Sequence, residues 1–296
     1  MWVLSASGCI ELTSGKRYQN DYIVVAGALI AGKPITMENP IFIGRTIDID
    51  NFYLERMVLP DLLVYIENVK TAEKQFLSYS DNISDSLYNQ PILNIGYYDL
   101  SDSFIIDHLT KYRIVAKIGA DSVWAETSVP DSFVVEFSEF FTADVHSVFP
   151  AISYNELVDL EPLQIIVNKK EEMTIQVEYY CLQEWETAYW VFADKSDQTP
   201  QSALEYENII SGYPRKKVVT NTYLPEFIDD KYTILLPIAQ NDFLFYGEYR
   251  IRISIVDDNI SDYKNNKSGF YSGGINNGIG YFGSIATFDV FTNIQE

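Results

Sequence analysis

A chain of 296 residues with 42 acidic against 21 basic side chains carries a formal net charge of -21, which repels phosphate backbones and anionic headgroups and excludes nucleic acid as a partner. With 47% hydrophobic, 15% aromatic and only 21% charged residues, it is no disordered polymer but a globular protein long enough for two ordinary cores. Its 22 tyrosines and 17 phenylalanines favour strands, and its two cysteines, Cys9 and Cys181, form neither a CxxC pair nor a metal-ligand spacing.

The chain opens Met1-Trp-Val-Leu-Ser-Ala-Ser-Gly-Cys9, small residues running directly into cysteine, which resembles the lipobox of a bacterial lipoprotein. Cleavage before Cys9 would leave it as a lipidated N-terminus, with Ile10 to Asn20 as the tether. Ala6 stands where leucine is usual, and the eight residues before Cys9 include no Lys or Arg, so residues 1–20 read as a truncated leader and tether. An ordinary buried N-terminal cysteine is the competing reading. The longest apolar run, Tyr22 to Gly32, is about half of the ~20 residues that cross a bilayer as a helix, so no transmembrane helix is expected.

From Tyr22, Ile-Val-Val-Ala-Gly-Ala-Leu-Ile reads as a buried strand closed by Gly32-Lys-Pro34, and Leu62 to Glu67 as a second strand after Pro60-Asp61. The strongest hairpin signal is Tyr112 to Ile118, a turn at Gly119-Ala-Asp121, and Val123 to Val129. Tyr112, Ile114, Ala116 and Ile118 share one face and meet Val123, Ala125, Thr127 and Val129 at period two. Pro130 ends the ladder, having no N–H to contribute. Short strands punctuated by turns predict an all-β fold with a few short helices: an N-terminal immunoglobulin-like sandwich over 21–136, packed on a second β-rich domain over 137–296.

Near that boundary, Ser153-Tyr-Asn-Glu156 between Pro150 and Pro162 predicts a capped helix of one or two turns. Phe137, Phe140 and Phe141 are too apolar for a free linker, so the domains are expected to pack together. Further on, Met173, Ile175, Val177 and Tyr179 alternate with Thr174, Gln176, Glu178 and Tyr180, and Tyr249, Ile251, Ile253 and Ile255 alternate with Arg250 and Arg252. Both patterns predict half-buried antiparallel strands. Ser202 to Ile210 reads as a short helix, Asp257 to Asn266 as a polar excursion, and Ile285 to Val290 as a last strand.

Gly269 to Gly283 contains Gly278-Ile-Gly-Tyr-Phe-Gly283, the spacing of a dinucleotide-binding loop. Such a site needs a helix after the third glycine to aim N–H groups at phosphate, whereas the residues after Gly283 read as strand. The glycines are therefore expected to shape a tight loop that completes the second domain, with no cofactor. His108 and His146 make no HExxH, no GxSxG occurs, and Cys181 has no neighbouring histidine, so the sequence shows no apparatus for metal or nucleophile chemistry. A glycosidase carboxylate pair stays arithmetically open. Asp257, Asp258, Asn259 and Asp262 offer oxygen to calcium but lack the regular loop spacing, so a solvated acidic loop is expected. Trp185, Tyr189 and Trp190, close behind Tyr179 and Tyr180, are the candidate stacking residues for a sugar or peptide, weighed against a place in the core.

Taken in order, the small-small-Gly-Cys9 leader, Tyr22 to Ile35, the Tyr112-Arg-Ile hairpin ending Glu126-Thr-Ser-Val-Pro130, and Asn276-Asn-Gly-Ile-Gly-Tyr-Phe-Gly283 resemble one family. It is the Bacteroidetes-type group of outer-membrane lipoproteins with a domain of unknown function, often encoded beside TonB-dependent transporters. The resemblance covers nearly the whole chain after Cys9. It implies an N-terminal β-sandwich of carboxypeptidase-regulatory or immunoglobulin type, a lipid anchor at Cys9 and no established catalytic residues. The implied function is a lipid-anchored, non-catalytic accessory or ligand-binding protein of the outer membrane, partnered with a TonB-dependent transporter; the resemblance offers no ligand, and the glycan or peptide is expected from the stacking residues alone. A structural or adhesion module of the envelope and a carbohydrate-active enzyme are the alternatives. Surface-exported members carry an acidic run after the cysteine, whereas Ile10-Glu-Leu-Thr-Ser-Gly-Lys-Arg17 follows Cys9, which leaves the cell surface and the periplasmic face both open. Asp85-Ser-Leu87 and Asp121-Ser-Val123 match the short O-glycosylation sequon of such bacteria.

Overall fold

The computed structural model describes residues 22–46, 58–80, 83–87, 90–93, 95–183, 189–191, 216–265 and 273–296, with the backbone path alone over 83–87 and 90–93. Cys9, Trp185, the predicted helix Ser202 to Ile210 and the opening of the glycine-rich stretch lie outside them. The described chain is mostly strand, with one α-helix, Asp258–Asn265, and two 3-10 turns, Tyr154–Asp159 and Gln240–Asp242. The all-β class expected from the sequence is what forms.

Two compact units divide the chain. The first comprises Met1–Pro130 and Val256–Ala286, the second Asp131–Ile255 and Thr287–Glu296. A single break after residue 136 is thereby corrected, because the chain leaves the first unit at Pro130, re-enters it at Val256 and leaves again after Ala286. The strands Phe245–Val256 and Ile279–Gln295 each run continuously through a crossing, so no turn or loop marks it.

The first unit holds β1 (Ile23–Ile30), β2 (Phe42–Arg45), β3 (Leu63–Asn68), β4 (Lys74–Ser80), the small hairpin β5 (Ile83–Leu87) and β6 (Gln90–Leu93), β7 (Gly96–Tyr98), β8 (Lys111–Ile118) and β9 (Asp121–Ser128). The antiparallel pairs β3/β4, β3/β8, β8/β9 and β4/β7 build one sheet. The predicted hairpin is β8 and β9, with Tyr112 opposite Thr127, Ile114 opposite Ala125 and Ala116 opposite Val123. The inward face of that sheet buries Val64, Ile66, Leu77, Ile114, Ala116, Val123 and Ala125. Aromatic hydroxyls pin the surrounding loops: Tyr97 donates to the Leu59 carbonyl and accepts the Leu62 N–H, and Tyr112 accepts the Asp107 N–H. Burying a phenol ring with its oxygen paired gives apolar contact without an unsatisfied polar atom.

In the second unit, β10 (Val134–Glu136), β12 (Leu163–Val167), β17 (Lys231–Leu236) and β16 (Glu226–Ile228) form an antiparallel sheet, while β11 (Ala151–Ser153), β13 (Met173–Cys181), β14 (Tyr189–Trp190), β15 (Lys216–Tyr223) and β18 (Phe245–Val256) belong to a second. The short helix foreseen at Ser153 is the 3-10 turn Tyr154–Asp159, where the Glu156 carboxylate accepts the Ser153 N–H at 3.3 Å. The core gathers Val135, Ile165, Ile175, Val177, Tyr179, Phe243, Phe245, Ile251 and Ile253. One expectation changes in kind: β13 buries Thr174 and Glu178 as well as Ile175, Val177 and Tyr179. Glu178 can be buried because Lys216 and Arg250 both reach it, the latter at 3.1 Å, and because Arg250 also lies over the Tyr180 ring. Next to it, Arg252 grips Asp289 through two bonds of 2.8 Å.

The last two strands, β19 (Ile275–Asn276) and β20 (Ile279–Gln295), bring the glycine-rich stretch into the first unit. β19 extends the sheet beside β9, and the opening residues of β20 run parallel to β1 from Val24 opposite Ile279 to Ile30 opposite Ile285. The expectation that this stretch completes the C-terminal domain is corrected accordingly.

Candidate functional site

Of the predicted stacking residues, Tyr189 and Trp190 form β14, opposite Tyr246 and Phe245 of β18. The Trp190 ring lies 4.4 Å from the Phe245 ring and packs against the core of the second unit, and Tyr179 is buried edge-on against Phe243. The Trp190 and Tyr179 rings thus serve packing in the core of the second unit.

The predicted acidic loop is a helix, and Asp257 caps it. Its carboxylate accepts the Ile260 N–H at 3.1 Å and the Thr127 hydroxyl at 2.5 Å. With that proton committed, Thr127 accepts from the Ser284 hydroxyl at 2.7 Å. Asn259 donates to the carbonyls of Glu126 and Phe282, tying the first turn to β9 and β20. Burial pushes the Asp257 carboxyl up to about 6, against the lowering effect of its hydrogen bonds. The expectation of a solvated acidic loop is corrected: Asp258 and Asp262 are exposed, but Asp257 is an interior cap. Among the described residues no group of three or more His, Cys, Asp or Glu could hold a metal ion.

The GxGxxG glycines are used by the backbone. Gly280 has φ +107°, and a Cβ there would stand 2.1 Å from the Val25 carbonyl oxygen of β1. A Cβ on Gly283 would meet the Asp257 carboxylate and the Ile260 side chain at 2.4 Å. Strand β20 continues where a phosphate site would need a helix. His108, whose ring lies 3.0 Å from the Pro130 carbonyl, and His146 are both at the surface and separate from these groups.

A different set of side chains gathers on the outward face of β4, β3, β8 and β9. Strand register places Phe76, Tyr65, Val115 and Trp124 in one row across the four strands, with Phe76 exposed, Tyr65 and Trp124 half-buried, and Val115 buried between them. Phe76 is 55% exposed, and its ring lies 5.6 Å from that of Tyr65. On one side runs Lys74, Glu67, Arg113 and Glu126, a row of alternating charge. The Lys74 ammonium sits 4.8 Å over the Tyr65 ring, and the Arg113 guanidinium 5.5 Å over Trp124. Hydrogen bonds from Lys111 and Arg113 hold the Glu126 carboxyl below its ordinary range. On the other side Lys117 stands exposed between Leu63, itself 48% exposed, and Ser122. The face thus presents half-buried rings edged by cations, with Phe76 the most exposed of them, on a rigid ladder.

The sequence reading missed this face because it scored the hairpin by its inward residues. The signal was present in the alternate positions, where Trp124 falls between the inward Val123 and Ala125. No protein-family model matches the chain, and no curated protein is significantly similar to it.

Proposed function

We propose that this chain is a non-catalytic binding protein of the bacterial outer membrane, anchored by lipid at Cys9 and working beside a TonB-dependent transporter. The single observation that carries the binding role is the outward aromatic face of β4, β3, β8 and β9, where Phe76 and Leu63 remain about half exposed beside Tyr65 and Trp124. Two buried carboxylates of the first unit, Asp257 and Asp99, are engaged in folding, which supports a non-enzymatic reading. Asp257, Thr127 and Ser284 bond one another around a helix start. Asp99 accepts from Gln75, Ser101, Ser103 and Phe104. The leader ending at Cys9 supports the envelope location. We read the first unit as a sandwich of immunoglobulin or carboxypeptidase-regulatory type, supported by its paired antiparallel strands and its loop-pinning tyrosines.

Mass spectrometry of the mature N-terminus is expected to find acylated Cys9, and affinity purification of the tagged protein to recover a TonB-dependent transporter. An unmodified Cys9, or repeated recovery of the chain alone, overturns the reading.

A further inference from the structure

We propose that the outward face of β4, β3, β8 and β9 binds an acidic oligosaccharide, its sugar rings stacked along Phe76, Tyr65 and Trp124 and its carboxylates met by Lys117 and by the Lys74, Arg113 and Lys111 side of the face. This rests on the binding-protein reading above and adds the ligand class.

The geometry argues for an oligomer. Phe76 and Trp124 lie three strand intervals apart, and at ~4.8 Å per interval the row spans about 14 Å, longer than one sugar ring. A pyranose offers an apolar C–H face to an aromatic ring and polar groups at its rim, which suits a row of rings bordered by charge.

Charge selects the acid. The whole chain carries -21, yet this face sets Lys74, Lys111, Arg113 and Lys117 against only Glu67 and Glu126. Glu126 is shared by Lys111 and Arg113, whereas the cross-strand partners of the exposed Lys117 are Leu63 and Ser122, neither of which carries a charge. A modestly positive patch on a strongly acidic chain admits an anion of low charge density. Duplex nucleic acid, with a charge every ~1.7 Å, is repelled by the field of the whole molecule.

A peptide fits less well. Peptides commonly bind sheets by adding a strand at an edge, whereas this row crosses strands β3 and β8, whose backbones are paired on both sides. A peptide helix would need a groove between elements, and the row lies on one continuous sheet surface.

Calorimetry on the full chain with hexagalacturonate, a neutral galactohexaose and hexaglutamate tests the proposal. Hexagalacturonate is expected to bind saturably and tighter than the neutral sugar, with hexaglutamate weakest. Phe76→Ala is expected to weaken both sugars by about tenfold, and Lys117→Gln to remove about two- to fivefold of the acidic sugar's advantage while sparing the neutral one. Both side chains are exposed, so unchanged thermal melting is expected to confirm folding of each variant. Equal affinity for the two sugars overturns the acidic preference, and tighter hexaglutamate overturns the sugar. Sugar binding that is indifferent to both substitutions overturns the placement. No binding of any probe overturns the ligand proposal alone, because the anchor and the transporter are scored by the separate purification above.

Discussion

At Asp257 one side chain shows how burial turns an acidic residue from a surface charge into a folding element. Its ordinary carboxyl value of 3.8 is pushed up to about 6 chiefly by burial, with a smaller push from neighbouring Asp258, against hydrogen bonds from Thr127 and Ile260. Because the folded value lies above the unfolded one, the folded chain holds the proton more tightly between about pH 4 and 6. This group's contribution to stability therefore falls as pH rises through that window and is level above it, a change of about 3 kcal/mol at ~1.4 kcal/mol per unit. Asp257→Asn keeps an oxygen for the Ile260 N–H and lets Thr127 turn its proton to Ser284, so thermal melts from pH 4 to 7 are expected to decline less steeply in the variant. Equal slopes in the two proteins would assign the titration elsewhere. Asp99 behaves in the opposite sense: burial raises its carboxyl, but hydrogen bonds from Phe104, Ser101 and Ser103 outweigh that and leave it below the usual range. Its contribution is present above the ordinary carboxyl range and is lost in strong acid.

Strand β20 decides what the glycine motif is for. Gly280 needs positive φ, at +107°, and it also lies against the Val25 carbonyl of β1, whereas Gly278 has no positive φ. Gly119, in the turn between β8 and β9, has φ +62° but open space where a Cβ would be. Gly119→Ala is therefore expected to cost about 1 kcal/mol from backbone strain alone, and Gly280→Ala clearly more, because the β1/β20 pairing must also shift. Urea titration of both variants checks this, and equal costs would remove the close approach as the cause. At this scale the β8/β9 hairpin was legible in its cross-strand partners and to within two residues at its ends, since its turn and period-two faces are local. The parallel pairing of β1 with β20 was not, because its partners are separated by almost the whole chain and parallel strands leave no turn signature between them. The helix Asp258–Asn265 was likewise hidden, its start being set by a buried cap and by contacts to β9 and β20 rather than by apolar periodicity.

On the scale of the molecule, the first unit is built from two separate lengths of chain, and its β1 pairs with residues 279–285. A fragment of residues 22–130 leaves one side of β1 open and the outer edge of β9 without β19. It is expected to lack a cooperative thermal transition and a native near-ultraviolet dichroism spectrum; a sharp two-state melt of the fragment would contradict the discontinuous unit. By itself, the sequence determined the β class, the inward faces of β8, β9 and β18, and the conformational role of its late glycines, all of which follow from alternation, turn chemistry and the steric freedom of glycine. Only the tertiary structure decided that β18 and β20 are shared between two units, that Asp257 is an interior cap, that Trp190 packs on Phe245, and that Phe76, Tyr65 and Trp124 form one row. Each of these depends on which strand lies beside which, and pairings between distant segments are set by the burial of the whole core rather than by any local pattern.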